Sequence, residues 1–192
     1  MPLGSGNWTI PNALTVARIL FTPVFVILFL DGNHLGALSL FFLAGLTDAL
    51  DGLLARVLDQ RSPLGAILDP LADKILLDTS YICLALEGWV PTWLGVAVVS
   101  RDLVILAGVA LLAFWGQDMR GRIRPSVVSK MTTASQMALV LLAFLHGTAS
   151  WGGRVEWLVA AMVWVTGALT VASGCHYVIK GLGMFTSGQV QD

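Results

Sequence analysis

Charge is scarce in this sequence. Of its 192 residues only 12% are Asp, Glu, Lys or Arg, about half the share of a typical soluble domain. Hydrophobic residues make up 56%, and the mean hydropathy is +0.80. That balance excludes a disordered chain and a lone water-soluble core. Neither sign dominates: 11 Lys and Arg stand against 12 Asp and Glu, for a formal net charge of −1. No basic face is available for a polyanion, so no nucleic acid is expected as a partner. Cysteine is nearly absent. Cys83 and Cys175 both sit in apolar runs, with neither metal-ligand spacing nor a disulfide framework, and read as small buried hydrophobes. Met1–Thr9 lacks basic residues and the first apolar run contains Arg18, so no cleavable signal peptide is expected.

Long apolar runs are what the sequence has in quantity. A helix crossing a membrane takes about 20 apolar residues, and six such segments can be read: 12–30, 35–58, 64–87, 91–115, 126–147 and 154–180. An open sheet cannot satisfy its backbone in lipid. The expected fold is therefore all-α, a polytopic membrane protein with six transmembrane helices forming a single domain over 1–192. A short interfacial helix is expected ahead of the first span, around Gly4–Pro11, and a frayed tail over 181–192. Arg56, Arg61, Arg120, Arg122 and Arg124 cluster in the loops after segments two and four, with Lys130 beside them, whereas the opposite loops carry only Arg154. By the positive-inside rule those basic loops and both termini face the cytoplasm. Trp89, Trp93, Trp151 and Trp157 fall near the opposite loops, where an aromatic belt belongs. Short loops without a targeting peptide point to a prokaryotic plasma membrane.

Against this background the carboxylates stand out. Asp48, Asp51, Asp69, Asp73, Asp78 and Asp102 all lie within or at the mouth of apolar segments. Each ionised Asp deep in a span costs about 2.5–3.5 kcal/mol. Four together approach about 10 kcal/mol, as much as a whole domain's stability, and a divalent cation would offset that penalty. Asp48 and Asp51 are three apart and Asp69 and Asp73 four apart, so each pair shares a helix face. The short loop between segments two and three makes them antiparallel neighbours, with the four carboxylates converging near the cytoplasmic end. Hard oxygen donors in that number suit Mg²⁺, Mn²⁺ or Ca²⁺, not zinc or copper. Gly52, Ala55 and Gly65 leave room beside the carboxylates, and Arg56 is placed to hold a phosphate through paired donors. Such a cleft suits a ligand carrying a diphosphate.

The run Asp48-Ala-Leu-Asp51-Gly52-Leu-Leu-Ala55-Arg56, followed after eight residues by Gly65, after three more by Asp69 and after three more by Asp73, resembles the motif of the CDP-alcohol phosphatidyltransferase family. The likeness extends to Ile10-Pro11-Asn12 through Arg18. Ser100-Arg101-Asp102, Ser129-Lys130, Thr132-Thr133 and Gln136 are similar to the branch that makes phosphatidylglycerophosphate and cardiolipin.

The resemblance implies a six-helix membrane enzyme, usually a homodimer, moving a phosphatidyl group from CDP-diacylglycerol to an alcohol with release of CMP. It assigns Asp48, Asp51, Asp69 and Asp73 to Mg²⁺ or Mn²⁺, as two ions, with Asp73 also the general base. Gly52, Ala55, Arg56 and Gly65 would line the CDP site. Arg101, Arg122, Arg124 and Lys130 are candidates for the acceptor, either glycerol 3-phosphate or phosphatidylglycerol, and membrane lipids complete the expected partners. Arg101 has a second reading, an intramembrane ion pair with Asp102. Other acceptors (inositol phosphate, serine) stay open. So do two other classes, an ion-coupled transporter and a non-catalytic membrane bundle; metal-dependent CMP release separates the enzyme from both.

Overall fold

A computed structural model describes residues 10–57, 65–114, 127–148 and 152–188, with side chains described over 16–47, 72, 74–108, 127–148 and 156–179. These residues form six α-helices and no strand: α1 (Ile10–Leu30), α2 (His34–Val57), α3 (Gly65–Leu86), α4 (Thr92–Phe114), α5 (Val127–Thr148) and α6 (Gly152–Gly188). Helix ends agree with the hydropathy reading to within two residues, except the last. α6 continues to Gly188 through most of the tail expected to fray. The glycines of that stretch each cost a helix about 1 kcal/mol, and apolar residues before and between them (Val178, Ile179, Leu182, Met184, Phe185) continue the apolar sequence pattern. The expected interfacial segment before α1 lies mostly outside the described residues.

Two turns are closed by glycine in the same way. Gly32 and Gly88 have φ of +76° and +73°, a left-handed conformation that a Cβ penalises. After α1, the amide of Asn33 donates to Leu28 O (2.9 Å) and that of Gly32 to Phe29 O (3.1 Å). After α3, the amide of Trp89 donates to Leu84 O (2.9 Å) and that of Gly88 to Ala85 O (3.2 Å). Both are Schellman motifs, which satisfy carbonyls that a helix end leaves open. Asn33 then caps α2, its Oδ1 accepting from the Gly36 amide at 3.0 Å.

The chain divides into two compact units, Met1–Cys83 and Leu84–Asp192. In the first, α1 packs on α2. Arg18, Thr22, Phe25 and Phe29 recur along one face of α1, and Ala37, Phe41 and Ala44 along one face of α2; all are buried. Phe25 stacks on Phe29 with ring centroids 6.0 Å apart and meets Phe41 at 6.3 Å. His34 stands edge-on to Phe29 at 5.2 Å, one of the packing roles open to an isolated histidine.

In the second unit α6 packs on both α4 and α5. Two glycines admit tryptophan rings to the helix backbone. A Cβ on Gly147 would collide with the ring of Trp89, and one on Gly167 would lie 2.7 Å from Trp93. Trp89 is also held edge-on by Phe144, at 5.7 Å between centroids.

Polarity is distributed inside out. Leu20, Leu30, Leu35, Phe42, Leu86, Trp164 and Ile179 are exposed, while Arg18, Arg101, Asp102, Gln136, Thr166 and Ser173 are buried. Surfaces of this kind suit lipid. Among the described residues, Val127–Thr148 and Glu156–Ile179 are long and apolar enough to cross a membrane, and Val16–Leu30 and His34–Thr47 are shorter apolar helices. Cys83 is buried as expected, but Cys175 is exposed. It sits on the outer face of α6 beside Val171, Val178 and Ile179, where an apolar run marks a face turned outward and not a core. Replacing Gly147 by Leu should destabilise the second unit by about 1–3 kcal/mol, because the Trp89 ring must be displaced from its place against the helix backbone. Thermal unfolding in detergent will register this as a lowered midpoint; an unchanged midpoint would mean the ring is not held.

Candidate functional site

Helical geometry puts the aspartates at the spacing the motif requires. Asp48 and Asp51 lie on α2, followed by Gly52, Ala55 and Arg56 just before that helix ends at Val57. Gly65 opens α3, and Asp69 and Asp73 follow on its first turns. Within each helix the paired carboxylates are one turn apart and on one face. The side chains of all eight motif residues lie outside the described residues, as do Arg122 and Arg124. Among the described residues no cluster of three or more His, Cys, Asp or Glu could hold a metal. The donor set itself fits: four carboxylates in two helical pairs are the hard oxygen ligands that Mg²⁺ and Mn²⁺ prefer.

Two of the candidate acceptor residues are described. Lys130 is exposed near the start of α5. Arg101, midway along α4, is the opposite: its side chain and that of Asp102 are each 4% exposed. Arg101 Nη1 is bonded to Asp102 Oδ1, which is the ion pair that formed its second reading. Its Nη2 donates to two hydroxyls, Ser129 Oγ on α5 at 2.9 Å and Ser173 Oγ on α6 at 2.8 Å. The guanidinium carbon lies 5.9 Å from the centroid of the Tyr177 ring, a cation–π distance. Gly174 lies beside it, where an added Cβ would make only an ordinary contact, 3.7 Å from Arg101 Cγ. One guanidinium thus ties three helices together.

A polar seam continues the joint between α5 and α6. Gln136 Nε2 donates to Thr170 Oγ1 at 3.2 Å. Thr132 Oγ1 lies 3.1 Å from Leu169 O, and Thr166 Oγ1 donates to Ser135 O at 3.4 Å. Ser129, Thr132 and Gln136, singled out from the sequence, therefore meet a set on α6 that was not. The missed set is Thr166, Thr170, Ser173 and Tyr177, and it had a signal. Steps of four, three and four residues place it on one face of an otherwise apolar helix.

Breaking a buried ion pair from one side leaves a charge without its partner, at about 3–5 kcal/mol. Arg101→Leu should therefore unfold the second unit far more readily than the double variant Arg101→Leu, Asp102→Leu, which removes both charges. Denaturant titrations of the two variants in detergent give the comparison; equal losses would show that the pair is not coupled.

Comparison with known proteins bears on the whole chain. The sequence model of the CDP-alcohol phosphatidyltransferase family matches residues 8–172, a stretch that contains the motif and runs through both units. A CMP-forming cardiolipin synthase of Rattus norvegicus is 34% identical over 91% of this chain and 65% of its own length. The Homo sapiens protein of the same name is 33% identical over 88% of this chain and 60% of its own. The chain thus spans less than two thirds of the length of these curated relatives. A CDP-diacylglycerol–glycerol-3-phosphate 3-phosphatidyltransferase of Pseudomonas fluorescens is 37% identical over 69% of this chain and 71% of its own length. Relatives from mammals as well as a bacterium give no support to the prokaryotic reading. With the motif in its helical setting and a match covering most of the residues, the chain belongs to the CDP-alcohol phosphatidyltransferase family.

Proposed function

We propose that this protein transfers a phosphatidyl group from CDP-diacylglycerol to a glycerol-type acceptor, glycerol 3-phosphate or phosphatidylglycerol, and releases CMP. The observation that carries this reading is the eight-residue motif from Asp48 to Asp73, at helical spacing on α2 and α3, inside the family match. Relatives bearing the names of both activities support the acceptor class.

In this reading Asp48, Asp51, Asp69 and Asp73 hold two Mg²⁺ or Mn²⁺ ions. When bound, such ions neutralise the diphosphate and the charge that develops on the leaving nucleotide. Gly52, Ala55 and Gly65 leave space for the CDP group, and Arg56 offers paired donors to its phosphates. Asp73 takes the proton from the acceptor hydroxyl as its oxygen attacks the lipid-side phosphorus. The bond from that phosphorus to the CMP oxygen breaks, and CMP departs with the electron pair.

The acceptor's phosphate falls to Arg122, Arg124 and Lys130, with Arg101 in a supporting part. With Asp102, Ser129 and Ser173 as its partners, Arg101 holds the start of α5 in register, and Lys130 is the next residue along. The helices form six spans in a homodimer, with the basic loops and the motif towards the cytoplasm. Two helices long and apolar enough to cross a membrane, Val127–Thr148 and Glu156–Ile179, support the membrane part of that reading.

Purified protein given CDP-diacylglycerol and Mg²⁺ or Mn²⁺ should release CMP with one of the two acceptors and not with inositol phosphate or serine. Asp73→Asn should lower the rate by about 10²–10⁴-fold, the usual share of a general base. A chelator should abolish turnover. CMP release that survives both changes would overturn the assignment.

A further inference from the structure

Arg18 has no part in the transfer described above, yet it is the most costly residue of the first unit to bury. It lies in the middle of α1 and is 1% exposed, so its guanidinium does not snorkel to water. Arg18, Thr22, Phe25 and Phe29 follow one another at steps of four, three and four along the buried face of α1. The buried face of α2 answers with Ala37, Phe41 and Ala44, at steps of four and three, while Phe42, Leu43 and Leu46 are exposed. The next step of four falls on position 48, the first aspartate of the motif.

The register of the two helices says what stands opposite what. Only residues 31–33 join them, so α1 and α2 run antiparallel, and Phe25 meets Phe41 at 6.3 Å between ring centroids. Each helix rises about 1.5 Å per residue, so equal counts from that pair arrive at equal heights. Three residues on, Thr22 is level with Ala44; seven on, Arg18 is level with Asp48. In the other direction Phe29 is level with Ala37 and touches His34 one turn nearer the loop, at 5.2 Å. Helical side chains lean towards the N-terminus of their own helix. That lean carries a long arginine on α1 from the height of Asp48 towards that of Asp51.

Charge points the same way. Between Val16 and Thr47 the sole acidic residue is Asp31, in the turn at the far end of the pair. A guanidinium buried between apolar helices requires an anion, and the carboxylates that the register of α1 and α2 brings to its height are those of Asp48 and Asp51.

We propose that Arg18 is a positioning residue of the metal site, its guanidinium spanning the carboxylates of Asp48 and Asp51 from the α1 side. The inference rests on the reading of these aspartates as metal ligands, and it adds to them a group from a helix outside the motif. Each carboxylate gives one oxygen to an N–H of the fork and keeps the other for the cation, the arrangement by which groups behind metal ligands hold them in place. In the metal-free chain the same guanidinium offsets the repulsion of two like charges one helical turn apart.

Thermal unfolding of the full chain in detergent, with a chelator present, tests the pairing. Arg18→Gln should lower the midpoint in the wild-type background. In a chain already carrying Asp48→Asn and Asp51→Asn, the same change should cost less than about half as much, because the buried charges it would leave unopposed are gone. In an Asp69→Asn background the full loss should persist. Equal losses in all three backgrounds, or relief by Asp69→Asn alone, overturn the proposal. Mn²⁺ binding followed by electron paramagnetic resonance supplies a readout that packing alone does not move. Arg18→Gln should raise the Mn²⁺ dissociation constant about ten- to a hundredfold, and Arg18→Lys, which keeps the charge without the fork, should recover part of the loss. Phe25→Leu, in the same pair of helices, should lower the midpoint and leave Mn²⁺ affinity as it was. Unchanged or tighter Mn²⁺ binding in Arg18→Gln, or an equal shift in Phe25→Leu, overturns the assignment. The unfolding comparison involves neither metal nor substrate, so its failure and failure of the transferase reading, which CMP release reports, are separate results.

Discussion

A charge taken out of water must find its opposite or its hydrogen-bond partners, and the second unit is arranged around that requirement. Arg101 and Asp102 are buried together on α4, and the guanidinium makes polar contacts to its own helix, to α5 and to α6. Apolar packing alone is weakly directional where helices are surrounded by hydrocarbon. A guanidinium has fixed donor directions, so it sets the rotation and height of both neighbouring helices. The hydroxyl seam from Thr132 to Thr170 extends the same constraint along α5 and α6.

The first unit solves its packing differently. Phe25, Phe29 and Phe41 interlock between α1 and α2, and small residues at Ala37 and Ala44 let the helices approach. Its turn is sealed by Gly32 and Asn33, so the two helices are joined with little slack. In the second unit glycine has another task. Gly147 and Gly167 give up their side chains to the rings of Trp89 and Trp93, which lie against the bare helix backbone.

Much of the fold was legible because hydropathy and punctuation agree. Asp31-Gly32-Asn33 and Glu87-Gly88 mark helix ends by backbone chemistry that only a few residue types supply, and the structure uses both glycines at positive φ. The motif was legible because two helical spacings carry four carboxylates that an apolar segment has no other reason to hold. Cys175 and the end of α6 were misread for related reasons. An apolar neighbourhood in sequence does not distinguish a core from an outward face when the surroundings are themselves apolar. A glycine-rich, polar composition does not end a helix when enough apolar residues persist in register. The α6 side of the polar seam was overlooked because Thr and Ser are common in apolar helices, and only their shared face with Arg101 gives them meaning.

The seam between α5 and α6 has a consequence for how the chain enters a bilayer. Gln136 Nε2 donates to Thr170 Oγ1 across the two helices, so either helix placed in hydrocarbon alone would lose that bond. Only three residues, 149–151, separate α5 from α6. In the proposed membrane arrangement the pair is therefore suited to insert as one hairpin with this bond already made, and with Ser129 and Ser173 presenting a preformed dock for the arginine of α4.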